Sequence, residues 1–125
     1  MDLPIVNRSA ILLTARQAFL DWINDCPIAI TPPLTLDEIN AGPTVYLIPE
    51  QEGKPNDWLE ENYMVIFEEE LGGRYTDESY WPDDRSYAVF RKFFGIHFSC
   101  LVVDTTSGPI VTDEVLLNFS GEIMH

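Results

Sequence analysis

The sequence predicts an α+β fold: a small mixed or mostly antiparallel sheet with helices packed on one face, in the order β-α-β-α-α-β with room for a closing strand. Three observations predict it. Short strand-like apolar runs and segments of helical apolar spacing alternate along the chain. The connections between them are irregular and carry proline, unlike those of a doubly wound parallel sheet. The 125 residues, 46 % hydrophobic and 12 % aromatic, are close to the usual size of one domain and apolar enough for a core of their own, so 1–125 is read as a single domain.

Each element has its own signal. SAILL (9–13) is an apolar run of strand length. In TARQ, Thr14 can cap a helix with Gln17 reaching back, and Ala15, Phe19, Trp22, Ile23 and Cys26 then form one apolar stripe that Pro27 ends. TLDE (35–38) has the spacing of a capping box and predicts one short helical turn closed by Gly42 and Pro43. TVYLIP (44–49) has strand composition. WLEENYMVIFEEEL (58–71) is a helix with Leu59, Tyr63, Ile66 and Phe67 on one face, Glu60, Glu61, Glu68 and Glu69 mostly on the other, and Gly72 and Gly73 as its stop. RSYAVFRKFF (85–94) places Tyr87, Phe90 and Phe94 at helical spacing, with Gly95 as the expected C-cap. IHFSCLVV (96–103) is aromatic and β-branched, the strongest strand signal, and ends in the turn-forming DTTSGP. IVTDEVLLNF (110–119) fits a hairpin partner for it or a loose terminal segment.

The charge is one-sided: 21 acids against 7 bases give −14. A field of that sign repels phosphate backbones and anionic membrane surfaces, so no direct nucleic-acid or membrane partner is expected. The acids crowd into 50–84, which holds 12 of them with 2 bases, whereas 85–103 carries Arg85, Arg91 and Lys92 and no acid. The N-terminal stretch lacks the basic start and cleavage site of a secretory leader, and no apolar run has the length of a membrane span, so the expected location is the cytoplasm. The two cysteines, Cys26 and Cys100, stand far apart without a CxxC pairing and are expected reduced and buried.

Signatures of catalysis and of cofactor binding are missing: there is no GxSxG, P-loop, GxGxxG, HExxH or CxxC, and no cofactor is expected. His97 and Cys100 sit three apart in the predicted strand, so they should point to opposite faces, with one of them lining the core. Ser99 shares the face of His97, but no acid at matching spacing completes a triad. His125 is the last residue. TDESYWPDD lacks the alternating oxygen ligands and central glycine of a hard-cation loop, so no dedicated metal site is expected. The glutamates at 68–70 crowd the negative end of their helix, which calls for something basic nearby: Arg74, Arg85, Arg91 or Lys92, or a partner.

The densest stretch is TDESYWPDDR (76–85). Pro82, Asp83 and Asp84 suit the first turn of the next helix, and Arg85 can pair with an acid of the loop. That leaves the rings of Tyr75, Tyr80, Trp81 and Tyr87, gathered within thirteen residues, without a complete explanation. Tyr, Trp and Arg are enriched at binding hot spots, and acids beside aromatic rings suit a cationic or peptide ligand. The candidate binding residues are therefore Tyr75, Asp77, Glu78, Tyr80, Trp81, Asp83, Asp84 and Arg85.

YLIPE (46–50), WLEENYMVIFEEEL (58–71) and YTDESYWPDDRSYAVFRKFF (75–94) together resemble a family of small acidic, uncharacterised bacterial proteins, most specifically in the YTDE–WP segment. The resemblance spans about the middle half of the chain and implies no activity, cofactor or partner. The expected function is therefore a non-enzymatic protein-binding or regulatory module that meets a basic surface of another protein, with a homodimer also compatible. Two alternatives stand beside it. One is a small enzyme with a carboxylate base among Tyr75, Asp77, Glu78 and Arg85; the other is an acidic mimic of nucleic acid.

Overall fold

The computed structural model of the chain describes residues 3–52 and 55–113. It has the expected α+β architecture: β1 (Arg8–Ala15), α1 (Gln17–Asp25), α2 (Leu36–Ile39), β2 (Thr44–Pro49), α3 (Pro55–Gly72), a 3₁₀ turn (Glu78–Tyr80), α4 (Tyr87–Phe93) and β3 (Phe94–Ser99). The sheet has three strands in the order β2-β1-β3, and both pairings are antiparallel.

Register decides which residues reach the core. Ile11 lies opposite Tyr46 on one side and Phe98 on the other, and Leu13 opposite Thr44 and Ile96. Directly paired residues share a face, so Ile11, Leu13, Ile48 and Phe94 point to the helices, with Tyr46, Ile96 and Phe98 at their margin. On the reverse face Val45, Leu47, His97 and Ser99 are exposed. Among the described residues, helices therefore cover one face only.

Beneath the sheet lies an aromatic centre. Phe19 of α1, Phe67 of α3, Phe90 of α4 and Phe94 of β3 are buried, and the ring of Phe94 sits 4.6 Å from Phe19, 5.3 Å from Phe90 and 6.0 Å from Phe67. Most of these pairs are tilted or edge-on, the arrangement the ring quadrupoles favour. Leu59, Ile66 and Leu71 extend the apolar face of α3, with Tyr63 half-buried among them. Glu60, Glu61, Glu68 and Glu69 are exposed, as their spacing requires.

Several boundaries differ from the sequence reading. Thr14 belongs to β1, and α1 starts after Arg16, which caps it without a side-chain bond. The α2 capping box is present, with Thr35 and Glu38 bonding each other's backbone N–H. Gly72 ends α3, yet no left-handed glycine follows. The amides of Gly73 and Tyr75 instead donate to Glu69 O and Leu71 O, and the left-handed glycine among the described residues is Gly108. β3 spans 94–99 rather than 96–103. Beyond it Ser99 Oγ bonds Leu101 O, and the chain turns to meet the N-terminal segment through an Ile5–Val103 bridge. Of the proposed closing strand, 110–112 are not in a strand and 114–119 fall outside the described residues. Neither cysteine is buried: Cys26 is half-buried and Cys100 exposed, and both are free thiols. Nor does either His97 or Cys100 line the core, because His97 lies exposed on the reverse face and Cys100 beyond the strand end.

Gly95 is no helix cap either. α4 passes straight into β3 through an extended Phe94, and Gly95 pairs with Thr14 across the ladder. A Cβ at position 95 would stand 2.5 Å from Thr14 Oγ1. Threonine is stiff at χ1 and cannot swing aside freely. Gly95→Ala is expected to lower stability by about 1–3 kcal/mol in chemical denaturation, the usual cost of overpacking. Thr14→Ala in the same chain should recover most of that loss. If the two losses simply add, the close approach is not what fixes the glycine.

Candidate functional site

A groove of about 610 Å³ opens between the C-terminal end of α1 and the 3₁₀ segment after α3. Trp22, Asp25, Cys26 and Pro27 form one wall, and Ser79, Tyr80, Trp81, Pro82 and Asp83 form the other. A second cavity near Asn40 and Arg74 holds about 40 Å³, room for little more than a water or two. The first has the size of ligand sites, which run from about 300 to 1,000 Å³.

The two walls are fastened together by side chains that reach across. Trp22 Nε1 donates to Tyr80 O at 3.1 Å, and the Cys26 thiol points to the same carbonyl at 3.9 Å. The Tyr75 hydroxyl donates to Ile23 O at 2.6 Å, and Trp81 Nε1 donates to Tyr75 O at 2.7 Å. Ring contacts follow the same path: Trp22 stacks on Phe19 at 5.6 Å and meets the edge of Tyr75 at 5.4 Å, and Tyr75 lies 6.2 Å from Tyr80. The groove is thus continuous with the aromatic core. Trp22, Tyr75, Tyr80 and Trp81 are all half-buried, and the polar ends of Trp22, Tyr75 and Trp81 are hydrogen-bonded.

The eight residues singled out from the sequence divide into two groups. Tyr80, Trp81 and Asp83 line the groove, Tyr75 supports it from behind, and Arg85 stands beside it with its guanidinium 5.7 Å from the Trp81 ring centre. Asp77 and Asp84 do local work instead. Asp77 accepts from the amide of Ser79 at the start of the 3₁₀ turn, and Asp84 accepts from the amide of Ser86 just before α4. Glu78 is exposed in the 3₁₀ turn. The expected helix start at Pro82 is overturned. α4 begins at Tyr87 with Ser86 as its N-cap, and Pro82, Asp83 and Asp84 precede it as a turn. Arg85 pairs with no loop acid but donates to Pro82 O at 3.0 Å. The partner of Glu70 is likewise not a base but the Tyr46 hydroxyl, whose pKa burial and this hydrogen bond push far up.

The half of the groove that the sequence reading missed is Trp22, Asp25, Cys26 and Pro27. Trp22 and Cys26 fall on the apolar stripe of α1 and read as core. Their signal was position: they occupy the last turn, where a stripe emerges from the core.

Compared with family models, curated proteins and solved structures, the chain matches none of them. The functional reading rests on the chemistry of the groove itself.

Burial pushes the Cys26 thiol up, partly offset by its hydrogen bond with Tyr75 and reinforced by Asp25, a direction that disfavours the thiolate. Asp77, one of the two carboxylates named for a base at this place, is exposed and held below the ordinary carboxylate range by the Ser79 amide. A general base working near neutrality needs a shift in the opposite direction. Among the described residues no group of three or more His, Cys, Asp or Glu is placed to hold a metal ion, and no helix is long and apolar enough to cross a membrane.

Asp77 and Asp84 both have lowered carboxyl pKa values, caused first by the backbone amides of Ser79 and Ser86. A lowered folded-state pKa means that the unfolded chain binds the proton more readily. The stabilisation is therefore present above the ordinary carboxylate range and is lost as pH falls through the lowered values. The double variant Asp77→Asn/Asp84→Asn should lose Tm less steeply on acidification than the parent chain. Equal slopes would show that these caps do not contribute to acid sensitivity.

Proposed function

We propose that the protein is a non-enzymatic, cytoplasmic binding module that engages a basic surface of another protein through the groove between α1 and the 79–83 segment. The observation that carries this reading is a coincidence. The segment densest in acids and aromatic rings is also one wall of a ligand-sized groove, and the facing wall adds another tryptophan and another aspartate. Half-buried Trp and Tyr rings offer large contact area at little conformational cost, which is why they recur at interface hot spots. The overall charge of −14 favours encounter with a basic partner and disfavours nucleic acid. The resemblance to the small acidic bacterial proteins is part of the proposal, since the YTDE–WP segment that carries it is the segment that forms the groove.

A photo-crosslinking residue placed at exposed position 83 tests this in cells that express the full chain. It is expected to give one discrete adduct with another protein, and Asp25→Lys in the same chain should abolish it. The same residue at position 45, on the reverse face of the sheet, should not give that adduct. No adduct from 83, or equal adducts from both positions, would remove the groove as the binding surface.

A further inference from the structure

We infer that the groove receives an arginine side chain presented by a segment of the partner protein; this rests on the binding reading above and names the chemistry that the groove selects. Three features of different origin converge on a cation. The carboxylates of Asp25 and Asp83 stand on opposite walls, both exposed, and among the described residues no base lines the groove, with Arg85 over the Trp81 ring beside it. The wall on the α1 side is a helix C-terminus. α1 ends at Asp25 with no basic residue in its last turn, so no cation of its own offsets the partial negative charge of its final carbonyls, of which Ile23 O accepts from the Tyr75 hydroxyl. The rings of Trp22, Tyr80 and Trp81 supply electron-rich surfaces, on which cations rest favourably within about 6 Å of the centroid.

An apolar occupant would strip water from the two aspartates and give nothing back. An anion would face the carboxylates and the helix end together. A guanidinium suits the site better than an ammonium. It is flat, weakly hydrated and stacks on rings, and its fork can meet a carboxylate with two hydrogen bonds. The chain itself uses this contact twice: Arg85 lies over Trp81 at 5.7 Å and Arg91 over Tyr87 at 5.8 Å. The volume of about 610 Å³ exceeds what one side chain fills, so the occupant is a short stretch of chain carrying the arginine rather than a lone cation.

The test uses the full chain and two capped pentapeptides of glycine and serine, one with arginine at its centre and one with citrulline, which keeps the shape and removes the charge. Binding is followed by NMR at the indole N–H signals of Trp22 and Trp81. The arginine peptide is expected to shift both signals and to bind at least roughly tenfold more tightly than the citrulline peptide, the factor that about 1.4 kcal/mol of charge-dependent binding supplies. Asp25→Asn/Asp83→Asn should remove most of that preference while Tm stays within a few degrees, because both side chains are exposed. Equal binding of the two peptides at the same indoles would overturn the charge selection and leave the groove standing as a binding surface. No shift at either indole with the arginine peptide would also overturn it. Loss of the crosslink at position 83, by contrast, would take down the binding reading itself.

Discussion

Five phenylalanine rings, Phe19 from α1, Phe67 from α3, Phe90 and Phe93 from α4 and Phe94 from β3, meet beneath the sheet, and the placement of α1, α3 and α4 follows from that meeting. Phe67 touches Phe90, Phe93 and Phe94 edge-on, and Tyr63 packs on Phe90 and Tyr87, so these two rings hold α3 against the α4–β3 corner. Such pairs add about 0.5–1.5 kcal/mol each beyond the area they bury. With Phe90 held against Phe67 and Phe94, the chain reversal from α4 into β3 has little freedom. Gly95 then sits where Thr14 leaves no space for a Cβ. The sheet edge and the helix layer are thereby fixed by the same few atoms.

The groove inherits its shape from this centre. Trp22 stacks directly on Phe19, one turn away on α1, and passes the order outward to Tyr75 and from there to Tyr80. Both indole N–H groups and the Tyr75 hydroxyl are spent on backbone carbonyls, which closes the walls. Along the groove, the polar groups that hold the walls and the carboxylates left at the rim are therefore different ones. Asp77, Asp84 and Arg85 are used up in turns, whereas Asp25 and Asp83 keep their carboxylates at the rim. As the proposed binding surface the groove is preorganised, so that a partner would not have to order it on arrival.

Much of the fold was legible because the relevant signals are local. The strand at 44–49, the capping box at 35–38 and the amphipathic helix of α3 each follow from spacing within one turn or one pleat. What was not legible depended on pairing. Thr14 reads as a helix cap from its neighbours, but it becomes a strand residue because β1 continues to match Gly95 and Phe94 across the ladder. Pro82 followed by two aspartates looks like a helix start. The turn takes it instead, since Asp84 bonds Ser86 and Ser86 supplies the cap. The site was half visible for the same reason. Residues 75–85 announce themselves by composition, whereas Trp22 and Asp25 are brought to them only by tertiary packing, fifty or more residues away.

The central claim is that the groove is a rigid extension of the aromatic core, and hydrogen exchange of the Trp22 and Trp81 indole N–H groups tests it most directly. Both donate to carbonyls of the opposing or supporting segment, at 3.1 and 2.7 Å. If the walls are held by the core, both indoles should exchange as slowly as the amides of β1, and Phe19→Ala should speed both together with the core amides. Exchange at the rate of exposed loop amides in the parent chain, with β1 still protected, would mean that the walls open independently, and the account of a preformed site would fail.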